Sequence, residues 1–177
     1  MPIEELIKDQ EDRELTTGPG NWTGDCIWDP GPYYDKLGFL AMPFDGEYQE
    51  KQTQLQYPAL KATAGDTINL WVTWIHRTPD KAIDYKYYYL SDGNYMLLGT
   101  YVGWEMVGSW NRVQYRFTTP ADWNPNNSTL ILKAINGTDY PVDWCLDDFS
   151  LIGWEEELPP PPPVIPKVQY LPLVGIG

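Results

Sequence analysis

The chain is 177 residues long, enough for one domain of roughly 150 residues with tails. Nine tryptophans and thirteen tyrosines stand beside fifteen glycines and seventeen prolines, which favours an all-β domain with many turns over a helical bundle. A formal net charge of −13 argues against nucleic acid or an anionic membrane as partner, since both need a basic surface, and no apolar run approaches the roughly 20 residues that insert across a bilayer.

Residues 1–15 are acidic, and Glu4, Glu5, Leu6 and Ile7 suit a short helical turn or a first edge strand. Residues 1–9 lack the basic start and the continuous apolar stretch of a signal peptide. With Met1 in place, this is expected of a protein that reaches its site without Sec export, as virion proteins do on cell lysis; the other possibility is a leader already removed. Turn chemistry in Thr16, Thr17, Gly18, Pro19 and Gly20 opens a folded region over residues 16–154.

Alternating or apolar runs predict strands over residues 37–42, 48–57, 68–75, 83–90, 95–101, 110–118, 129–135 and 142–153, separated by turns such as Ser91-Asp92-Gly93-Asn94. No helix of any length is expected. The fold class that follows is all-β: an antiparallel β-sandwich, most simply a jelly roll. On residues 48–57, Gln52, Gln54 and Gln56 alternate with Thr53, Leu55 and Tyr57, as in a half-exposed strand. Ile68, Leu70, Val72 and Trp74 are expected in the core with Trp71 and Thr73 outward. Val113, Tyr115 and Phe117 are expected inward with Arg112, Gln114 and Arg116 outward. On 83–90 the charge of Lys86 places Lys86 and Tyr88 outside, so Tyr85, Tyr87 and Tyr89 are expected in the core.

Strict alternation in 142–153 puts Trp144, Leu146, Asp148 and Ser150 on one face and Cys145, Asp147, Phe149 and Leu151 on the other. The adjacent aspartates then point to opposite sides, which speaks against a catalytic carboxylate pair. Cys26 and Cys145 have no zinc-ligand spacing. They would bond only if the first and last strands were neighbours, and two buried free thiols are the plainer expectation. His76 has no nucleophile partner suggested by spacing, and no phosphate-binding loop is present.

The order of pieces carries a resemblance. A Gly20-Asn21-Trp22-Thr23-Gly24 opening precedes the glutamine-rich strand, the entry Ala64-Gly65-Asp66-Thr67, the strand begun by Trp110, and a closing Trp144-Cys145-Leu146-Asp147-Asp148-Phe149-Ser150-Leu151. Over about residues 5–154 this resembles galactose-binding-like β-sandwiches, especially the carbohydrate-binding modules of polysaccharide hydrolases, a kind of domain also found in phage virion proteins. The resemblance implies sugar binding without catalysis, and one structural calcium between the first and last strands, for which Asp147 or Asp148 is the matching carboxylate; otherwise no cofactor is expected. Sugars stack on flat aromatic faces flanked by hydrogen-bonding side chains. Trp71, Tyr88, Arg112 and Gln114 would make such a platform if their strands share a sheet, with Trp104 in a nearby loop. The competing reading is an ordinary solvent face or a subunit contact.

Residues 155–163 are acidic and then five prolines, a polyproline II rod of roughly 15 Å. The arm at 164–177 is apolar, with Val164, Ile165, Val168, Tyr170, Leu171, Leu173, Val174 and Ile176, and a free apolar arm seeks cover. Domain, spacer and arm together lead to the expectation of a non-catalytic structural or decoration protein of a virion or extracellular surface. In that reading the sandwich faces surface glycans and the arm docks on other protein chains of the assembly. The alternative is a carbohydrate-binding module of a secreted polysaccharide hydrolase, or a cell-surface adhesin.

Overall fold

The computed structural model describes residues 4–46, 48–65, 67–77, 83, 85–102, 110–137 and 140–154. Trp104, the proline spacer and the arm at 164–177 lie outside the described residues.

Among the described residues, eleven strands, one short α-helix and one 3-10 turn follow in order: β1 (Glu4–Glu5), α1 (Gln10–Glu14), β2 (Thr23–Gly24), β3 (Ile27–Asp29), β4 (Phe39–Phe44), β5 (Gln49–Gln56), β6 (Thr67–His76), β7 (Tyr85–Ser91), β8 (Tyr95–Val102), β9 (Asn111–Thr118), the 3-10 turn (Pro125–Asn127), β10 (Thr129–Asn136) and β11 (Val142–Trp154). One sheet runs β3-β4-β11-β6-β9, with β1 added beside the far end of β11, and the other runs β2-β5-β10-β7-β8. All pairings are antiparallel. The two layers make the jelly-roll β-sandwich that the sequence predicts.

The interior follows from alternation. Ile68, Leu70, Val72 and Trp74 of β6 meet Leu55, Leu90, Leu130 and Leu132 of the opposite sheet, all buried in one cluster. Each such aliphatic side chain contributes about 1.5–3 kcal/mol relative to exposure. Val113, Tyr115 and Phe117 of β9 pack against the same cluster. Trp123 in a loop and Trp28 on β3 are anchors whose indole N–H groups donate to the Ser128 hydroxyl at 3.2 Å and to the Leu15 carbonyl at 2.8 Å. Of the two forms expected at Glu4, Glu5, Leu6 and Ile7, the edge strand is found, as β1; the short helix α1 follows it at Gln10–Glu14, where no helix is expected. Asp9 caps α1 by accepting from the Glu11 amide at 2.9 Å.

Two expectations fail, each for a local reason. On β7 the faces are reversed: Lys86, Tyr88 and Leu90 are buried, while Tyr85, Tyr87 and Tyr89 face outward. Lys86 is tolerated inside because its ammonium lies 4.4 Å from the Trp74 ring centroid and 5.9 Å from that of Trp144, and donates to the Ile83 carbonyl at 3.2 Å. Indole faces and a carbonyl thus take the place of water around the cation. On β11 a bulge between Asp147 and Ser150, with Asp148 at φ 51°, shifts the phase. Phe149 and Leu151 therefore join Trp144 and Leu146 in the core, and the two aspartates approach one lysine instead of pointing apart. Cys26 and Cys145 are both free. Cys26 shares a 2.9 Å hydrogen bond with the Thr53 hydroxyl. Cys145 lies in a second cluster with Phe39, Ala41 and Ile75, against which Tyr33 and Trp110 pack.

Candidate functional site

The outward face of the β2-β5-β10-β7-β8 sheet is where aromatic and amide groups converge. Paired residues in antiparallel strands share a face, so the register fixes its rows. One row reads Gln54, Ile131, Tyr89 and Leu97, and the next reads Gln52, Lys133, Tyr87 and Thr100. A third places Glu50 and Ile135 beside Tyr85. The three tyrosines form a ladder along β7, with ring centroids 6.5 Å apart for Tyr85 and Tyr87 and 6.2 Å for Tyr87 and Tyr89, and ring planes within 20° of parallel. Tyr95, across the β7-β8 hairpin, stands edge-on to Tyr89 at 5.8 Å. Asp92 holds that hairpin by accepting the Asn94 amide at 3.1 Å.

Gln52, Tyr89, Tyr95, Ile131 and Lys133 line a hollow of about 240 Å³ on this face. Lys133 pairs with Glu50, which holds its ammonium above the ordinary lysine range. Lys133, the one cation among the described residues lining the hollow, is thus already neutralised within the chain. No hydrogen bond engages the side-chain amides of Gln52, Gln54 or Gln56 among the described residues. Flat apolar rings beside uncommitted amides can stack on a ring-shaped polar ligand and hydrogen-bond its edge.

The residues expected to form the platform are divided between the two sheets. Trp71 on β6 and Arg112 and Gln114 on β9 do meet, Trp71 being paired with Gln114. The Arg112 guanidinium lies 4.7 Å from the Trp71 ring centroid and stacks on that indole itself. Tyr88 belongs to the other sheet and is buried, its ring 4.7 Å from Tyr115 and 6.0 Å from Trp144; its side chain is core, not site. The tyrosines that do face out were assigned to the core because Lys86 reads as a surface residue. Leu90, in phase with Tyr88 and Lys86, carries the opposite signal.

Asp147 and Asp148 hold a lysine. Lys36 pairs directly with Asp148, and its ammonium is 3.5 Å from the Asp147 carboxylate. Burial pushes the Asp147 carboxyl up to about 7 from an ordinary 3.8, and its second oxygen has no partner. Calcium takes six to eight oxygens, and no group of three or more His, Cys, Asp or Glu gathers among the described residues. With the ammonium standing where a cation would have to sit, Asp147 and Asp148 do not fit the calcium expected of them. Cys145, buried, has its thiol pushed up to about 12, and His76, buried beside Lys86, is pushed down to about 3.

No protein-family model and no curated protein matches this chain. Solved structures do. A CBM4 module superposes with a TM-score of 0.56 at 16% identity, covering 79% of this chain and 99% of the module. The CBM22-1 xylan-binding domain of Paenibacillus barcinonensis Xyn10C gives 0.55 at 11% identity, over 88% of this chain and 95% of that domain. TmCBM61, solved in complex with β-1,4-galactotriose, gives 0.53 at 15% identity, over 84% and 97%. These similar structures are carbohydrate-binding modules, the kind of domain named in the resemblance. At such identities the likeness establishes the fold, a carbohydrate-binding-module-like β-sandwich.

Proposed function

We propose that this protein is a non-catalytic carbohydrate-binding domain working at an extracellular or cell surface, and that its ligand lies on the tyrosine–glutamine face of the β2-β5-β10-β7-β8 sheet. The observation that carries the reading is the outward Tyr85-Tyr87-Tyr89 ladder closed by Tyr95, set beside amides with no internal partner. The described residues around it present no nucleophile–base pair. The fold shared with xylan- and galactotriose-binding modules supports the same conclusion by analogy. The test is affinity electrophoresis in xylan and β-1,4-galactan, with the Tyr87→Ala/Tyr89→Ala double variant and Trp71→Ala alongside. The wild type is expected to be retarded by one of these polymers, the double variant to lose at least about tenfold in affinity, and Trp71→Ala to match the wild type. Retardation lost in Trp71→Ala and kept in the double variant would move the site to the opposite sheet.

The virion or assembly role is a separate proposal, and it rests on composition: an apolar stretch at 164–177 after five consecutive prolines. It predicts oligomers in size-exclusion chromatography that vanish when residues 159–177 are deleted. A full-length chain that elutes as a monomer would remove its basis.

A further inference from the structure

Resting on the sugar-binding reading, we infer that the ligand is a linear, uncharged oligosaccharide that runs along β5, from the tyrosine hollow into a second hollow at the far end of the same face. That second hollow, about 360 Å³, is lined by Lys8, Asp9, Asn21, Thr23, Gln56, Tyr57, Pro58 and Ala59. The register joins the two. Thr23, in the second hollow, is paired with Gln54. Gln54 stands between Gln52, which lines the first hollow, and Gln56, which lines the second. By strand alternation these three glutamines share one face and span about 13 Å from Gln52 to Gln56. That is longer than a single sugar ring and suited to a chain of several.

The second hollow repeats the chemistry of the first. Tyr57 supplies an aromatic wall, with the Lys61 ammonium 5.7 Å from its ring centroid, and Gln56 and Thr23 supply an amide and a hydroxyl. Its charges are spoken for within the chain. Lys8 pairs with Glu4 and donates to the Glu5 carbonyl at 3.0 Å, and Asp9 accepts the Glu11 amide at 2.9 Å. At the other end of the track Lys133 is held by Glu50. With Lys8 and Lys133 already paired and a chain charge of −13, a polyanionic sugar meets net repulsion, and a neutral chain does not.

Calorimetric titration with xylo-oligosaccharides and β-1,4-galacto-oligosaccharides from disaccharide to hexasaccharide separates this inference from the reading beneath it. The variant is Gln56→Ala/Tyr57→Ala, at two exposed positions beyond or at the end of β5. In the wild type, affinity should keep rising from trisaccharide to hexasaccharide. In the variant, the hexasaccharide should weaken by about tenfold, the equivalent of 1.4 kcal/mol, while di- and trisaccharide affinities hold. A wild-type affinity that stops rising at the trisaccharide overturns the track and leaves the tyrosine face intact. Equal weakening of short and long ligands in the variant overturns it too, since the second hollow would then not be an extension of the first. No binding at any length overturns the sugar-binding reading, and the track falls with it.

Discussion

Replacing Asp147 by Asn should change how stability depends on pH in a way the structure fixes in sign. Asp147 lies buried on the outer face of β11, with the ammonium of Lys36, from the segment between β3 and β4, at 3.5 Å, Asp148 next to it on its own strand, Thr73 of β6 in register with it, and Arg112 of β9 one strand further. Its carboxyl is raised from 3.8 to about 7, chiefly by burial, with Lys36 pulling the other way. Between about pH 4 and pH 7 the folded chain therefore keeps a proton that the unfolded chain has released, so folding stability falls as pH rises through that window. The interval corresponds to about 4 kcal/mol at about 1.4 kcal/mol per pKa unit, an upper bound. His76 works in the opposite direction. Its imidazole is lowered from 6.5 to about 3 by burial and then by Lys86, so below about pH 6.5 the unfolded chain gains a proton that the folded one refuses, and stability falls as pH falls. The two slopes mask each other in the wild type. Subtracting wild-type from Asp147→Asn unfolding free energies, measured by urea titration at steps from pH 4 to pH 8, cancels the His76 contribution because the two groups lie on opposite faces of the sheet. The difference should grow with pH up to about pH 7, by at most about 4 kcal/mol, and stay level above that. A difference that is flat over the whole range, or that shrinks with pH, would refute the assignment of a buried, proton-retaining Asp147.

Three further outcomes follow from the same packing. At pH 8 an alkylating thiol reagent should label half-buried Cys26 slowly and leave Cys145 untouched until the chain is denatured, because burial pushes the Cys145 thiol to about 12 and shields it under Tyr33 and Trp110; prompt modification of Cys145 in the native protein, read by mass spectrometry, would contradict this. Gly38→Ala should cost about 1–3 kcal/mol in chemical denaturation, since a Cβ there would run into the backbone carbonyl oxygen of Leu15, whereas Gly18→Ala, with open space around it, should not destabilise. Exchanging Lys133 for Met should weaken sugar binding less than the loss of Tyr87 and Tyr89, because the ammonium is already engaged by Glu50; a larger loss, in the same affinity gels, would mean that the cation itself holds the ligand.

Much of the fold is legible in the sequence because one period dominates it. The faces of β9, of β6 as far as Val72, and of β5 at Thr53 and Leu55 against the glutamines come out as alternation predicts. The platform pair Trp71 and Gln114 is likewise found side by side. What sequence misses is phase. On β7 a lysine alternates with tyrosines, and the charge outweighs the rings in any reading by polarity; only the converging indoles of Trp74 and Trp144, far away in the chain, make the interior the better place for Lys86. On β11 the extra residue of a bulge reverses every side chain after Asp147, and a left-handed Asp148 leaves no mark beyond the tolerance of aspartate for that conformation. Since the tyrosine face depends on the phase of β7, the proposed site is hidden in the sequence while the sandwich around it is plain. The glutamine column of β5, legible as the polar side of a half-exposed strand, is the part of the proposed site that alternation alone brings to the surface.

The most direct measurement is chemical-shift mapping of the amide spectrum during titration with the xylo- or galacto-oligosaccharide that binds best. The account predicts shifts confined to residues 8–9, 21–24, 50–57, 59, 85–91, 95–100 and 129–135, with Gln52, Tyr87, Tyr89 and Lys133 moving most, and amides of Trp71, Arg112 and Gln114 still. Shifts gathered on β6 and β9, with the tyrosine strand unmoved, would contradict it.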